Sequence, residues 1–389
     1  MARPNKERTL VKFAAKGEAS FYDTVKARVQ QYFDETGLSP NADRRMYVKS
    51  AAMLTLYLLP YFLILFGIGR LHLGWFYAAW FLMGLGIVGI GTSIMHDSNH
   101  RSYSQHKAVN RIMAGIIDFM GAYSVNWRIQ HNLLHHTYTN VSGLDDDIDA
   151  GNLLRMSPHQ PRLRMHRWQH IYCWPLYCLM NIWWVLGKDY KQAYQFNREG
   201  LLRKEKKTLR QAVWEITAMR VVYFGYTIVL PILFSGVAWY HVVLGFLLIQ
   251  VIAGFSLACI FQPAHVMETS DYAPPDDKRK VENSWAIHQV LNTADFAPRN
   301  RLLTWFIGGL NRQIVHHLFP QICHVHYPAL AGIVRRTAEE HNLPYHVYPT
   351  FRNALRAHYE MLKMLGSKKQ SQIDKVAGRE YFTNSPEVE

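Results

Sequence analysis

Two pairs of long apolar segments constrain this chain more than any other feature of its sequence. Residues 49–69 and 73–95 form the first pair, and residues 217–238 and 241–262 form the second. A helix needs about 20 apolar residues to cross a bilayer, and each segment is long enough. Four such segments in two hairpins are rare in soluble folds. The sequence therefore predicts an all-α integral membrane protein with four transmembrane helices in two hairpins.

The more polar sequence around these segments divides the chain into three parts. Residues 1–48 form a polar, basic N-terminal segment with a predicted amphipathic helix over about 20–36. We expect the membrane domain to extend over 49–350 and a C-terminal tail to occupy 351–389. The tail is polar beyond about residue 366 and is predicted to be disordered there.

The charge distribution predicts how the chain lies in the membrane. Lys and Arg number 43 against 29 Asp and Glu, which gives a net charge of +14. The turns 69–74 and 235–241 contain a single charged residue, Arg70, while the basic residues lie elsewhere. The positive-inside rule therefore places both termini in the cytoplasm. Because the basic residues frame apolar spans, they favour anionic lipid or acyl-CoA phosphates over nucleic acid.

Eight histidines occur in groups that follow the apolar pairs. Two histidines four residues apart lie on one helix face, so His96 and His100 can aim at one point, as can His131 and His135. His136 is turned away from that face and can bind a second ion. Neutral imidazole is a common ligand for transition metals. The four Cys form no CxxC pair, so they indicate neither a disulfide framework nor a cysteine zinc site. The pattern predicts a two-metal centre on one side of the membrane, bound by His96, His100, His131, His135, His136, His265, His316 and His317.

One further apolar stretch, 168–187, has two interpretations. As a fifth span it would put the second and third histidine groups on opposite sides of the membrane. A helix at the membrane surface keeps the groups together, and its four tryptophans favour that position. We therefore expect 168–187 to be an interfacial helix.

Three motifs resemble the histidine boxes of the integral-membrane fatty-acid desaturases. They are HDSNH at 96–100, QHNLLHH at 130–136 and QIVHHLFP at 313–320. The Q-x-x-HH form of the third box is similar to the front-end and linoleoyl-CoA desaturase-like branch. The resemblance covers about 45–350 and includes the motifs NWRIQHN, FQPAHVM and QVLNTADF.

The resemblance implies two non-haem iron ions held by the eight histidines named above. Gln313 stands where other branches have a histidine, and it would ligate weakly, bridge through a water or orient a neighbour. Asp97 would orient a box histidine or act as a helix-terminal charge. His324 and His326, which follow the third box closely, are candidates for supporting roles. Asn126, Trp127 and Arg128 would line the entry of the acyl chain or touch its headgroup, with ordinary helix packing as the alternative.

The resemblance also implies an activity and its partners. We expect O2-dependent desaturation of a fatty acyl chain, carried on CoA or on a lipid, with formation of a cis double bond. The haem signature HPGG of a fused cytochrome b5 domain does not occur in the sequence. Electrons would then come from a separate protein such as a ferredoxin or cytochrome b5.

Two other functions are compatible with a histidine-rich membrane protein. A fatty-acyl or alkane hydroxylase uses the same scaffold, although alkane hydroxylases have different spacing around the third box. A metal transporter should place ionisable ligands within its spans, which here are nearly free of charge. The acidic run Asp145–Asp147, with Asp149, follows the second box and is expected to form a docking or capping loop rather than a third metal site.

Overall fold

Four long apolar helices dominate the structure, a computed structural model that describes residues 11–14, 20–272, 280–281 and 283–368. Within these residues, four helices are long and apolar enough to cross a membrane. We name them the first to fourth spans: Arg44–Leu65, Leu73–Asn99, Leu209–Phe234 and Trp239–Ala264. They confirm the four predicted segments, although the helix ends differ from the apolar boundaries.

The differences at the helix ends arise because capping residues, rather than hydropathy, determine where a helix begins. The first span begins after Asp43, whose carboxylate accepts a hydrogen bond from the Arg45 amide at 2.8 Å. The third span begins after Thr208, which forms a capping box with Gln211. Such caps satisfy amide groups that have no partner inside the helix. Both helices therefore extend into polar sequence that an apolar count leaves out.

The second span lies between the first and the fourth and is the most buried of the four. A Cβ on Gly86 would lie 2.9 Å from the backbone of Tyr57 in the first span. A Cβ on Gly84 would lie 2.8 Å from Ile252 in the fourth span. Small residues at these contacts allow close packing of apolar helices. The middle of the second span is therefore packed closely against both neighbours.

Shorter helices and two small strand pairs make up most of the remaining described chain. The strands are parallel pairs of two residues each: Lys12–Phe13 with Lys280–Val281, and Asp295–Phe296 with Val347–Tyr348. The longer of the remaining helices are Phe21–Thr36, Lys107–Ala114, Gln169–Trp183, Asp189–Arg198, Trp285–Leu291, Arg301–Phe306, Gln313–Leu318, Tyr327–Glu340 and Phe351–Gly366. The expectation of a mainly helical protein is confirmed.

The predicted N-terminal amphipathic helix is present as Phe21–Thr36. Ser20 caps it by accepting a hydrogen bond from the Asp23 amide. Residues Phe21, Val25, Val29 and Phe33 recur every four positions and are buried in a shared apolar cluster with the segment after the third histidine group. This spacing puts all four side chains on one helix face.

The apolar stretch around 168–187 belongs to a longer helix, 169–198, which we name the bridging helix. It is not among the four span-like helices of the described chain. Its first half contacts the fourth span, where Asn181 donates to Gln250 at 2.6 Å. Its second half contacts the third span through a buried ion pair between Asp189 and Arg220. The bridging helix thus joins the second pair of spans, and its placement at the membrane surface stays a prediction.

The predicted C-terminal tail contains a helix that packs onto the body of the molecule. In Phe351–Gly366, Met361, Leu362 and Leu365 are buried with Tyr177 of the bridging helix. The Leu362 carbonyl accepts a hydrogen bond from the Gln169 amide at 2.7 Å. The predicted disorder falls largely on 369–389, which lie outside the described residues.

Candidate metal centre

The first histidine group lies at the end of the second span. This span continues without a break to Asn99, and a π-helical turn at Ile90–Met95 precedes His96. Single π-helical turns inside α-helices are frequent at functional sites. His96 and His100 are buried, and their ring centroids are 4.7 Å apart. The apolar span therefore positions two ligand candidates on one helical turn, as the spacing predicted.

The second group lies on a π-helix, Arg128–His135, followed by a short α-helix that begins at His136. His131 and His135 were predicted to aim at one point, and ring nitrogens of both lie within 4.8 Å of each other in a grouping with Asp147. His131 groups with His96 and His100, whereas His135 groups with His265 and His317. The two side chains therefore serve different parts of the centre.

The remaining histidines arrive on two other segments. His265 follows the end of the fourth span, after a single 3₁₀ turn at Gln262–Ala264. His316 and His317 lie on a six-residue helix, Gln313–Leu318, in which every residue is buried. Their rings are inclined by 84°, and each lies in a different group of histidine nitrogens as well as in a shared group with His136. Each can therefore reach a different ion.

All eight predicted histidines converge in one buried region. Ring nitrogens of His96, His100, His131 and His316 lie within 4.8 Å of one another, as do those of His135, His265 and His317. His136 forms a third such group with His316 and His317. The arrangement offers two neighbouring ligand sets with His136 between them.

Several ring nitrogens in this region have no hydrogen-bond partner despite complete burial. These include the Nε2 atoms of His96, His100, His316 and His317. The Nε2 atoms of His131 and His136 face each other at 3.2 Å. A buried polar atom without a partner costs about 1–3 kcal/mol, so such a concentration demands a ligand. Coordination of metal ions by these nitrogens satisfies them, and the residues present therefore fit a two-metal site.

In five of the eight histidines, the Nδ1 atom contacts an oxygen atom of another residue. The His135 Nδ1 lies 3.0 Å from Asp145, and the His131 Nδ1 lies 2.9 Å from Asp147. The remaining contacts join His317 to Gln289 at 2.8 Å, His316 to Tyr327 at 3.2 Å and His265 to the Asn292 carbonyl at 3.3 Å. Ligating histidines characteristically donate their second N–H to such acceptors, which fix the ring orientation.

The two aspartates also change the proton affinity of their histidines. Burial lowers the pKa of His135, but the charges of Asp145 and Asp147 outweigh it and raise the pKa to about 9. Burial dominates at His131 and lowers its pKa to about 4, despite its contact with Asp147. A neutral ring that binds a cation through Nε2 can donate its Nδ1–H to the same carboxylate. The aspartates thus favour a cation at this site, whether it is a proton or a metal ion.

Comparison with known proteins supports the resemblance of the motifs. The family model for fatty acid desaturase matches residues 73–349. A sn-1 linoleoyl-lipid 6-desaturase of Synechocystis sp. is 33% identical over 92% of this chain and 98% of its own length. The chain belongs to the fatty acid desaturase family.

Two further relatives of this desaturase come from eukaryotes. An acyl-lipid (8-3)-desaturase of Physcomitrium patens is 36% identical over 92% of this chain and 74% of its own length. A Delta(5) fatty acid desaturase A of Dictyostelium discoideum is 30% identical over 92% of this chain and 76% of its own length. Family membership makes the chain an oxidoreductase of lipid metabolism, so the transporter alternative is set aside.

The other predicted site residues lie around the centre of this desaturase in different ways. The Gln313 amide donates to the Leu310 carbonyl at 2.8 Å, so its nitrogen is occupied within its own turn. Asp97 is 1% exposed and its carboxylate contacts the His324 Nδ1 at 2.8 Å. Trp127 lies against the first ligand set, with its ring centroid 4.5 Å from that of His131.

Of the three predicted substrate residues, Arg128 alone lines the cleft beside the centre. This cleft has a volume of about 390 Å³ and includes His100 and His136 in its wall. Arg128 donates to Glu205 at 2.8 Å and to Asn99 at 3.2 Å. Asn126 is fully buried and donates instead to the Asp189 carbonyl of the bridging helix at 2.8 Å. Its position therefore indicates a packing role.

The sequence pattern did not single out the residues that support the histidines. Asp145 and Asp147 were expected in a docking or capping loop, but they contact His135 and His131. Gln289 lies in the QVLNTADF motif, which marked the segment without indicating which residue acts. The 16-residue separation of His131 from Asp147 is set by the loop between them and has no local periodicity. Such pairs become visible only when the fold is known.

Proposed function

We propose that this desaturase introduces a cis double bond into a fatty acyl chain at a di-iron centre, using O2 and two electrons from another protein. The observation that supports this most is the convergence of eight buried histidines, several with unpartnered Nε2 atoms. Redox metal chemistry is required because no acid or base among side chains can remove hydrogen from an unactivated methylene. Two bound iron ions supply that chemistry by reducing O2.

The residues of this chain have the task of holding the centre and excluding water. The aspartates, Gln289 and Tyr327 fix the rings of the ligands from the side away from the ions. Trp127 forms an apolar wall against the first ligand set. Precise placement of the acyl methylenes then determines which carbon–carbon bond is oxidised. In the balanced reaction, the acyl chain gives up two hydrogen atoms, the donor supplies two electrons and the solvent two protons, and O2 is reduced to two water molecules.

We propose that the four spans form two hairpins and that the histidine centre lies in a cytoplasmic cap. The basic segments 43–49, 188–210 and 299–312 contrast with the turns 69–74 and 235–241, where Arg70 alone is charged. The positive-inside rule orients the ends of the spans accordingly. All eight histidines then face the cytoplasm, where the electron donor and the lipid headgroups are accessible.

We propose an acyl-lipid, rather than acyl-CoA, as the substrate carrier. The relatives in Synechocystis and Physcomitrium carry acyl-lipid or linoleoyl-lipid in their names. The cleft beside the centre contains Arg101, Arg128 and Lys204, with Glu205 as the acidic residue. An anionic headgroup would be attracted to the basic side of this cleft. The names of the relatives and the Q-x-x-HH box also favour the front-end type, in which the new bond lies toward the carboxyl end.

A fatty-acid profile tests the proposed function. The chain is expressed in a host supplied with defined saturated and unsaturated acids, and lipids are analysed by gas chromatography–mass spectrometry. The expected result is a new double bond that disappears in a His135→Ala variant and persists in His106→Ala, which changes an exposed histidine. A hydroxylated product that depends on His135 would contradict desaturation and establish the hydroxylase alternative.

The identity of the donor is tested by the same assay. We propose a ferredoxin or a free cytochrome b5 as the source of electrons. Purified chain in lipid vesicles is supplied with each donor and its reductase, and product is measured by the same method. Product formation with one of the two donors identifies the partner. Formation of product with neither, from a chain that contains iron, would contradict this choice of donors.

A further inference from the structure

A buried chain of polar side chains joins the first span to the first histidine box. Lys49 and His324 are 2% and 3% exposed, and Asp97 is 1% exposed. The Lys49 Nζ lies 2.6 Å from the His324 Nε2, and the His324 Nδ1 lies 2.8 Å from Asp97. The His324 amide also donates to the same carboxylate oxygen at 3.2 Å. Three segments that are distant in sequence therefore meet at this histidine.

The chemistry of the two end groups fixes the tautomer of His324. An ammonium group can only donate hydrogen bonds, and an ionised carboxylate can only accept them. The His324 Nε2 must therefore carry the lone pair toward Lys49, and Nδ1 must carry the proton toward Asp97. Burial lowers the pKa of His324, consistent with a neutral ring between the two charges.

This cluster is not itself a metal site. Atoms of Asp97, Cys323 and His324 do lie within 4.8 Å of one another, in a grouping that resembles a ligand set. The ammonium group of Lys49, however, already occupies the Nε2 of His324 and supplies the positive charge that balances Asp97. A divalent cation at this position would be repelled by Lys49. The cluster therefore acts on something other than its own ion.

His96, a predicted metal ligand, faces the other oxygen of Asp97. Its Nδ1 lies 3.7 Å from the Asp97 Oδ1 and has no hydrogen-bond partner. A histidine that binds a metal through one ring nitrogen carries a proton on the other, and a nearby acceptor sets its orientation. Asp97 can serve as that acceptor only while its own carboxylate is held in place and its charge is balanced. His324 provides the first condition, and Lys49 provides the second.

We propose that Lys49 and His324 are positioning residues for the metal ligand His96 and act through the carboxylate of Asp97. This inference rests on the proposed metal centre. It assigns a role to a lysine of the first span, outside every histidine box. It also explains why a charged side chain is buried in the second turn of an apolar helix, where an uncompensated ammonium would be costly. The first span thus contributes to the metal centre without supplying a ligand.

Two substitutions at His324 separate this role from simple packing. An asparagine amide reaches about as far as Nδ1, so His324→Asn retains a donor for Asp97. A glutamine amide reaches about as far as Nε2, so His324→Gln retains a partner for Lys49 and loses the bond to Asp97. Anaerobic titration with ferrous iron should show near wild-type affinity for His324→Asn. His324→Gln should bind one of the two ions about 10- to 100-fold more weakly.

Variants of Lys49 provide a second test by the same titration. Lys49→Met removes the charge and should weaken iron binding similarly, whereas Lys49→Arg should restore it. Arg44→Met removes an exposed charge from the start of the same helix and serves as the matched control. Thermal unfolding of each variant is recorded in parallel. If Lys49→Met does not fold, the two His324 variants decide the question.

The results that would overturn the inference differ from those that would overturn the proposed function. Equal iron affinity in His324→Asn and His324→Gln would contradict a role through Asp97. A folded Lys49→Met with wild-type iron affinity and lowered thermal stability would assign Lys49 to structure alone. Either result beside a wild-type chain with two iron ions overturns this inference only. A wild-type chain that binds no iron would overturn the proposed function and this inference with it.

Discussion

Asp145 and Asp147 show how single residues tune the centre without being ligands. Asp145 is 1% exposed and accepts hydrogen bonds from the Asn140 and Asp147 amides at 2.9 Å each while it contacts His135. The loop after the second box is thereby folded back over its own histidines. The box histidines could be predicted from their spacing alone. Their partners could not, because the contacts depend on the path of this loop.

Weakening one of these contacts should weaken metal binding. Asp145→Asn keeps the size of the side chain but replaces the carboxylate with a neutral amide beside His135. We expect a loss of about 10- to 100-fold in affinity for ferrous iron, measured by anaerobic titration. Asp149→Asn is the control, because Asp149 accepts from the Gly151 amide in the same loop. Equal affinities for the two variants would contradict a specific role for Asp145.

At the scale of elements, the apolar spans were predictable and the local geometry of their ends was not. Hydropathy located the four helices, since about 20 apolar residues are needed for each. The π-helical turns at Ile90–Met95 and Arg128–His135 have no comparable sequence signal. The second of these carries His131 and His135, which group with different sets of histidines. The packing of the helix Phe351–Gly366 was also missed, because its alternating polar and apolar residues resemble those of a surface helix.

The helix Gln313–Leu318, which carries His316 and His317, follows a loop that lies close against the second span. Gly308 has a φ of +63°, and a Cβ at this position would lie 2.1 Å from the Thr92 carbonyl oxygen. Gly308→Ala combines backbone strain with a backbone clash and should reduce stability by about 1–3 kcal/mol. Gly332→Ala, in an uncrowded position of the helix Tyr327–Glu340, should stabilise by about 0.5–1 kcal/mol. Thermal unfolding in detergent measures both shifts, and an unchanged midpoint for Gly308→Ala would contradict this packing.

At the scale of the whole molecule, the sequence predicted that the histidine groups converge, because all of them were expected on one side of the membrane. Each group follows an apolar pair, so the sequence predicted one shared site on the expectation that 168–187 does not cross the membrane. The sequence did not reveal how the bridging helix joins the spans to that site. Gln192 on this helix donates to Gln130, which in turn contacts Asp147 beside His131. Such a series of hydrogen bonds between separate helices cannot be predicted from the sequence, because it depends on the complete fold.

The orientation of the molecule is open to a direct test. Alkaline phosphatase, which is active outside the bacterial cytoplasm, is fused after Phe234 at the end of the third span or after residue 389. We expect activity from the first fusion and none from the second, because the basic segments should stay in the cytoplasm. Activity from the C-terminal fusion would place the histidine centre on the opposite side.

The metal content of the purified wild-type chain tests the central claim most directly. Iron and zinc per chain are measured by inductively coupled plasma mass spectrometry, and the Mössbauer spectrum of ⁵⁷Fe-enriched protein reports whether the iron ions are coupled. Two coupled iron ions per chain are predicted, because eight histidines form neighbouring ligand sets. A single iron ion, an uncoupled spectrum or stoichiometric zinc in their place would contradict a di-iron desaturase.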